Sequence, residues 1–255
     1  MTAERATVIL PCAGSGRRLG LPFGKELLPL GPGSTPLDAT LGLLLPEAAR
    51  LRLVVVLGPE REATARHILR TTAPSRLPVA FTCQQPGLAE STGAVLSAQP
   101  WYSERNLVLL PDQVLTRPPG GLVTSTLDTL DGAPFCFLAA RETDPARISS
   151  DGALAITAST PARLLDYAEH PAPAQASRFN AVWFGFGFRR EHADEAVSVL
   201  HRAVTGEPVT AKELAGSPLG RCAVIDTGPY RDLGTWPAVM AHWAGNATMR
   251  EEARP

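Results

Sequence analysis

Residues 7–29 read TVILPCAGSGRRLGLPFGKELLP. TVIL at 7–10 is a short β-rich run, and a glycine-rich loop over 11–24 follows it directly. A strand that runs straight into glycines places pliable backbone at the carboxyl end of a sheet, where open α/β folds bind their ligands. Glycine lets the chain turn tightly and come close to a phosphate, whose oxygens its free N–H groups can then hydrogen-bond. Arg17, Arg18 and Lys25 add cationic donors suited to a triphosphate. Two common phosphate-binding patterns do not fit. GLPFGKE at 20–26 is one residue short of a Walker A loop and has glutamate where a hydroxyl is needed. GSGRRL at 14–19 ends in leucine where the dinucleotide pattern requires a third glycine.

Downstream of the loop, strand and helix signals alternate. Ser34, Thr35 and Pro36 supply a hydroxyl cap and a first-turn proline, and Leu37, Leu41, Leu44 and Leu45 recur at helical spacing. LVVVL at 53–57 has no polar residue in alternation and reads as a fully buried strand. Helical character follows at 60–69, a strand around 79–82, a helix at 88–98, a buried strand NLVLL at 106–110, a helix at 121–130 and a strand at 135–140. This order predicts an α/β fold, a largely parallel sheet with helices on both faces. Beyond residue 141 come short extended pieces at 153–157, 163–167 and 180–188. Helices at about 190–204 and 231–244 then flank an apolar strand at 222–225. The Pro/Ala-rich stretch at 170–176 is a loop, so residues 1–255 are expected to form a single domain.

Composition narrows the partners. Lys+Arg 24 against Asp+Glu 25 leaves a formal net charge of −1, without the basic field that nucleic acid needs. Cys12, Cys83, Cys136 and Cys222 are scattered, with no C-x-x-C pair, which argues against a zinc site or a disulfide framework. Reduced thiols and a polar amino-terminal stretch without a signal-peptide core predict a cytoplasmic protein. The longest apolar runs, at 41–45 and 53–57, are too short to span a bilayer, so no membrane association is expected. Histidines 67, 170, 192, 201 and 242 are dispersed, and all but His170 read as surface residues of helices.

The loop pattern A-G-x-G-x-R followed by lysine, and continued by KELLP at 25–29, resembles the signature of the sugar-1-phosphate nucleotidyltransferases. Further motifs follow in family order, from Val8 to about Trp236. The resemblance implies a three-layer Rossmann-like fold with a mixed, mainly parallel central sheet. It also implies transfer of a nucleotidyl group from a nucleoside triphosphate, UTP or dTTP favoured, to a sugar 1-phosphate or related phosphorylated acceptor, with release of pyrophosphate. Ala13, Gly14, Ser15 and Gly16 would then wrap the triphosphate, with Arg18 and Lys25 as the basic pair.

Such a transfer needs positioning and charge neutralisation more than a covalent nucleophile, and Mg²⁺ is the implied cofactor. Mg²⁺ typically takes one or two protein carboxylates besides phosphate oxygens. Two strand-ending aspartates match the family's metal positions: Asp112 in LPDQ at 110–113 and Asp226 in VIDTG at 224–228. Arg18, Lys25 and Asp112 are thus the expected catalytic groups. QQPGLAES at 84–91 resembles the base-reading stretch, with Gln84 or Gln85 and Gly87 as the candidates. Glu26 follows Lys25 as in many uridylyltransferases of the family.

The acceptor half departs from the family. Gly152 and Glu169 match residues that touch the acceptor, but His170 stands where a lysine commonly holds its phosphate. AVWFGFGF at 181–188 replaces a more Thr-Gly-Leu-Tyr-like strand, and its aromatics could stack on an acceptor or pack into the core. A cytidylyltransferase acting on an alcohol phosphate or phosphonate, and a catalytically silent nucleotide sensor, remain alternatives, and an oligomer is possible.

Overall fold

Successive side chains of a strand point to opposite faces of its sheet, and β1 (Ala6–Cys12) buries both sets: Val8 and Leu10 enter one core, Ile9 the other. The same split recurs in β2 (Leu51–Leu57), where Leu53 and Val55 oppose Val54 and Val56. Strands buried on both faces require a layer of helices on each side. The computed structural model, which describes residues 5–14, 16 and 18–252, has that three-layer architecture.

Between β1 and β2 lies α1 (Pro36–Leu44), and after β2 come α2 (Glu62–Thr72), β3 (Val79–Cys83), α3 (Glu90–Ser97), β4 (Arg105–Leu109), β5 (Gln113–Leu115) and α4 (Leu122–Thr129). The chain continues through β6 (Phe135–Arg141), α5 (Pro145–Ser150), β7 (Gly152–Ile156), β8 (Ala162–Glu169) and β9 (Ala181–Arg189). It closes with α6 (Ala193–Val204), α7 (Ala211–Gly216), β10 (Ala223–Asp226), β11 (Tyr230–Asp232) and α8 (Trp236–Glu252).

Nine strands form one sheet in the order β3-β2-β1-β4-β9-β6-β10-β8-β7. The strands β8 and β9 run against the rest, so the sheet is mixed and mainly parallel in direction. Leu37, Leu41 and Leu44 of α1, Ile68 of α2 and Leu127 of α4 fill one core. The opposite core takes Ala94 and Val95 of α3, Val197 and Leu200 of α6 and Leu214 of α7. Among the described residues no helix is long and apolar enough to cross a membrane.

Local signals set several boundaries. The α1 cap is Thr35, whose hydroxyl accepts from the Asp38 N–H at 3.1 Å while Asp38 accepts from the Thr35 N–H at 2.9 Å. This capping box satisfies two helix-end donors and is worth roughly 1 kcal/mol. Where pairing is non-local, the periodicity misleads. Residues 231 and 232, expected at the head of a helix over about 231–244, instead belong to β11, which pairs antiparallel with β5. The short helices α5 and α7 carry too few apolar repeats to show a period. His242 is also a correction: it is buried, not a surface residue of its helix.

Candidate functional site

Since β1 and β4 run parallel as neighbours, the glycine-rich loop after β1 and the Leu110-Pro111-Asp112 segment after β4 emerge side by side. They meet in a cleft of about 680 Å³ lined at this end by Ala13, Gly14, Arg18, Lys25 and Asp112. The loop rests on the end of β2, where a Cβ on Gly58 would stand 2.7 Å from the Ala13 carbonyl oxygen, so only glycine permits the approach. Arg61, at the start of α2, donates from Nη2 to the Gly14 carbonyl at 2.5 Å and anchors the loop from the side. Gly16 accepts from the Leu19 and Gly20 N–H groups at 3.0 and 3.2 Å, turning the chain back toward the sheet. Ser15 and Arg17 lie outside the described residues.

Lys25 forms an ion pair with Asp112 on the cleft floor. Burial alone would lower the lysine's pKa, but the adjacent Asp112 carboxylate outweighs it and the pKa is raised. The neighbouring Glu26 carboxyl is buried and accepts from the Thr64 hydroxyl at 2.6 Å, which ties the lysine's backbone to α2. Burial raises the Glu26 pKa.

A second carboxylate reaches the same floor, and it belongs to Asp232. The β5–β11 ribbon sets Asp232 opposite Gln113, and the Leu233 N–H donates to the Asp112 carbonyl at 3.2 Å. Asp232 Oδ1 accepts from the Gly234 N–H at 2.7 Å. Burial, and then the charge of Asp112, raise its pKa. Asp226 takes another place. At the end of β10 it is exposed, with Oδ1 accepting from the Gly228 N–H at 3.0 Å and Oδ2 lying 3.6 Å from Arg141 Nε. It is not among the residues lining the cleft.

The chain thus holds two Asp-x-Gly triplets, 226–228 and 232–234, and only the second faces Asp112. Thr235 followed by Pro237 is a helix start, which leaves 230–232 outside the helix without showing what those residues pair with. Among the described residues no three His, Cys, Asp or Glu side chains form a complete metal cage. Two carboxylates on this floor, beside Lys25 and with Arg18 lining the same end, would supply part of a cation's shell, which bound oxygens would have to complete.

Gln84 lines the cleft, but its amide nitrogen is committed, donating to the Leu88 carbonyl and, at 3.2 Å, to the Glu90 carbonyl. Its Oε1 remains as an acceptor. Gln85 is exposed, with its backbone N–H donating to Ser97 Oγ at 2.9 Å, and Gly87 is exposed in the turn before α3. Neither lines the cleft.

The opposite end is built on the β7–β8 hairpin, whose register sets Gly152 against Glu169. Both line the cleft, with His170 and Asp151. The Tyr167 hydroxyl donates to Glu169 Oε2 at 2.6 Å, and burial raises the Glu169 pKa. His170 is exposed, its Nε2 3.6 Å from Glu169 Oε1. Asp151 is buried, held by the Tyr230 hydroxyl at 2.9 Å and Arg147 at 2.9 Å, and burial raises its pKa too. In β9, Phe184, Phe186 and Phe188 pack into the cores, while Trp183 also reaches the cleft. Arg61, Asp232, Asp151 and Arg147 were not picked out as site residues in the sequence. Arg61 has no sequence signature at all, being one arginine in a polar turn.

No protein-family model and no curated protein matches the sequence. Solved structures do match in fold. A UDP-glucose pyrophosphorylase complexed with UDP-glucose superposes with a TM-score of 0.73 at 14% identity, covering 96% of this chain and 99% of that one. A UDP-glucose pyrophosphorylase from Acinetobacter baumannii gives 0.71 at 14% identity over 98% and 100% of the two chains. A Bacillus anthracis protein described as a glucose-1-phosphate thymidylyltransferase, in complex with sucrose, gives 0.68 at 16% over 94% of each. At these identities the likeness is one of fold: the three-layer Rossmann-like arrangement of these nucleotidyltransferases.

Proposed function

We propose that this chain is a nucleotidyltransferase that joins a nucleoside triphosphate to a sugar 1-phosphate or related phosphorylated acceptor and releases pyrophosphate. The observation that carries the reading is the Lys25–Asp112 ion pair with Asp232 beside it, set under a glycine-rich loop at the carboxyl ends of parallel strands. An oxygen of the acceptor phosphate attacks the α-phosphorus; the bond to the bridging oxygen breaks, and its electron pair leaves with pyrophosphate. Loop N–H groups, Arg18 and Lys25 hold the triphosphate, and Lys25 exchanges its Asp112 partner for a phosphate oxygen. Asp112 and Asp232 are the residues that would hold Mg²⁺, whose chemistry is to neutralise the phosphate charge and fix the in-line geometry. Glu169, with Gly152 and His170, faces the acceptor.

Gln84 Oε1 suits a base edge that presents an N–H, which uracil and thymine supply, and UTP or dTTP is the favoured donor. Unpaired thiols, three buried and Cys83 exposed, suit a cytoplasmic setting. The test is pyrophosphate release from UTP, dTTP, CTP, ATP and GTP, each with glucose 1-phosphate, mannose 1-phosphate and glycerol 3-phosphate, with and without Mg²⁺. Release with a sugar phosphate and a pyrimidine triphosphate supports the reading. Release with CTP and glycerol 3-phosphate moves it to an alcohol phosphate, and no release with any pair sinks it.

A further inference from the structure

Residues 19–29 carry Lys25 and have little backbone support of their own. They belong to neither sheet, and their backbone bonds to one another form one short turn. In it the Leu27 and Leu28 N–H groups donate to the Gly24 and Lys25 carbonyls at 2.9 and 3.1 Å. Such a stretch opens at low cost unless side chains hold it. Thr64 holds it from α2, through the Glu26 carboxyl.

The other side is held by α8. The Trp236 indole Nε1–H donates to the Leu19 carbonyl at 3.1 Å, and the Trp243 Nε1–H donates to the Pro29 carbonyl at 2.9 Å. Seven positions separate the two tryptophans, which places them two turns apart on one face of the helix and lets them grip both ends of the segment. Their rings lie 6.5 Å apart and stay 41% and 40% exposed, so neither serves mainly to fill a core.

Beside them lies a small core, separate from the two that flank the sheet. It takes Leu19, Leu28 and Leu30 from the segment, Leu233 and Val239, with Leu21 and Val114 packed against it. Leu233 follows Asp232, and Val114 stands two residues beyond Asp112. Lys25, Asp112 and Asp232 thus come from three stretches of chain that meet in this core, and α8 packs onto it through Val239. Among the described residues, none of α8 lines the cleft.

We propose that Trp236 and Trp243 are positioning residues: their indole N–H groups make α8 a brace that holds Lys25 level with Asp112 and Asp232, in place to receive a nucleoside triphosphate. The inference rests on the nucleotidyl-transfer reading for the identity of that ligand, and it assigns part of the triphosphate affinity to a helix outside the cleft. Coupling of this kind is reciprocal, so bound nucleotide also steadies α8.

Phenylalanine keeps an aromatic ring and removes the N–H. Trp236→Phe and Trp243→Phe should each raise KM for UTP about fivefold, and the pair about twentyfold, as hydrogen bonds to main-chain carbonyls are lost. KM for glucose 1-phosphate should stay within about twofold and kcat within about threefold, the split expected when binding of one substrate alone is weakened. Trp101→Phe, at an exposed tryptophan on the far end of β4 from Asp112, should leave both constants unchanged. A second measurement uses the unaltered chain, so a poorly folding variant leaves the test intact. Hydrogen–deuterium exchange with UTP and Mg²⁺ added should slow in peptides covering both 19–30 and 236–243. Protection of 19–30 with α8 unchanged overturns the inference, as do equal rises in KM for both substrates. Calorimetry of UTP binding without acceptor separates this inference from the reading beneath it. A loss of at least about tenfold in affinity in the double variant supports the brace. That result beside no turnover with any acceptor phosphate sinks nucleotidyl transfer alone. An unchanged affinity overturns the brace alone, and a parent chain that binds none of the five triphosphates sinks both.

Discussion

Asp112, Asp226 and Asp232 show how much one side chain's setting decides. All three end or follow strands, yet only Asp112 and Asp232 share the cleft with Lys25. Asp112→Asn and Asp232→Asn should each fold and lose at least about 10²-fold in kcat, because each takes charge from the pocket that would hold Mg²⁺. Asp226→Asn should stay within about threefold of the parent, since an exposed turn-capping carboxylate has little to give up. Steady-state turnover at limiting Mg²⁺ checks all three, and an impaired Asp226→Asn beside a healthy Asp232→Asn would reverse the assignment. Lys25→Ala should slow turnover by at least about tenfold with saturating nucleotide, as a charged phosphate ligand is lost. Arg18→Ala should follow it; a variant of either that keeps full turnover makes that residue a solvated part of the turn.

Among elements, the pairing of β5 with β11 does most to build the site, and it was the hardest to read. Thr35, Pro36 and the leucines of α1 announce that helix because caps and 3.6-residue periods are local. A three-residue strand that pairs with another more than a hundred positions away leaves no such trace, and its loss hid Asp232. The glycine-rich loop was legible because glycine spacing after an apolar strand is itself local. Its seating was not, since Gly58 and Arg61 lie in the segment that joins β2 to α2. Gly58→Ala tests that seating. The added methyl would press on the Ala13 carbonyl, so the variant should lose about 1–3 kcal/mol of stability. Its KM for triphosphate should rise more than its KM for acceptor. Equal rises in both would mean that the β2 end shapes the whole cleft and not the loop alone.

Taken whole, the molecule concentrates buried acid at one end of its sheet. Burial raises the pKa of Glu26, Asp151, Glu169 and Asp232 together, each with added repulsion from neighbouring carboxylates. A carboxyl whose folded pKa is raised favours the fold fully below its unfolded pKa and loses that contribution as pH rises through the folded value. Asp232→Asn removes one such group. Its stability advantage over the parent, measured by thermal melts without Mg²⁺, should therefore widen as pH rises from about 4. A constant gap from pH 4 to 8 would mean that Asp232 is not strained by its surroundings. Stability given up in this way is consistent with a pocket held ready for cationic ligands. Whether that pocket performs nucleotidyl transfer is decided most directly by ³¹P NMR of a reaction between UTP and glucose 1-phosphate carrying ¹⁸O in its phosphate. The account predicts a sugar nucleotide with the label on the phosphorus next to the sugar, and unlabelled pyrophosphate in equal amount. Formation of UDP with a doubly phosphorylated sugar, or of UMP and pyrophosphate with the labelled sugar phosphate untouched, would contradict it.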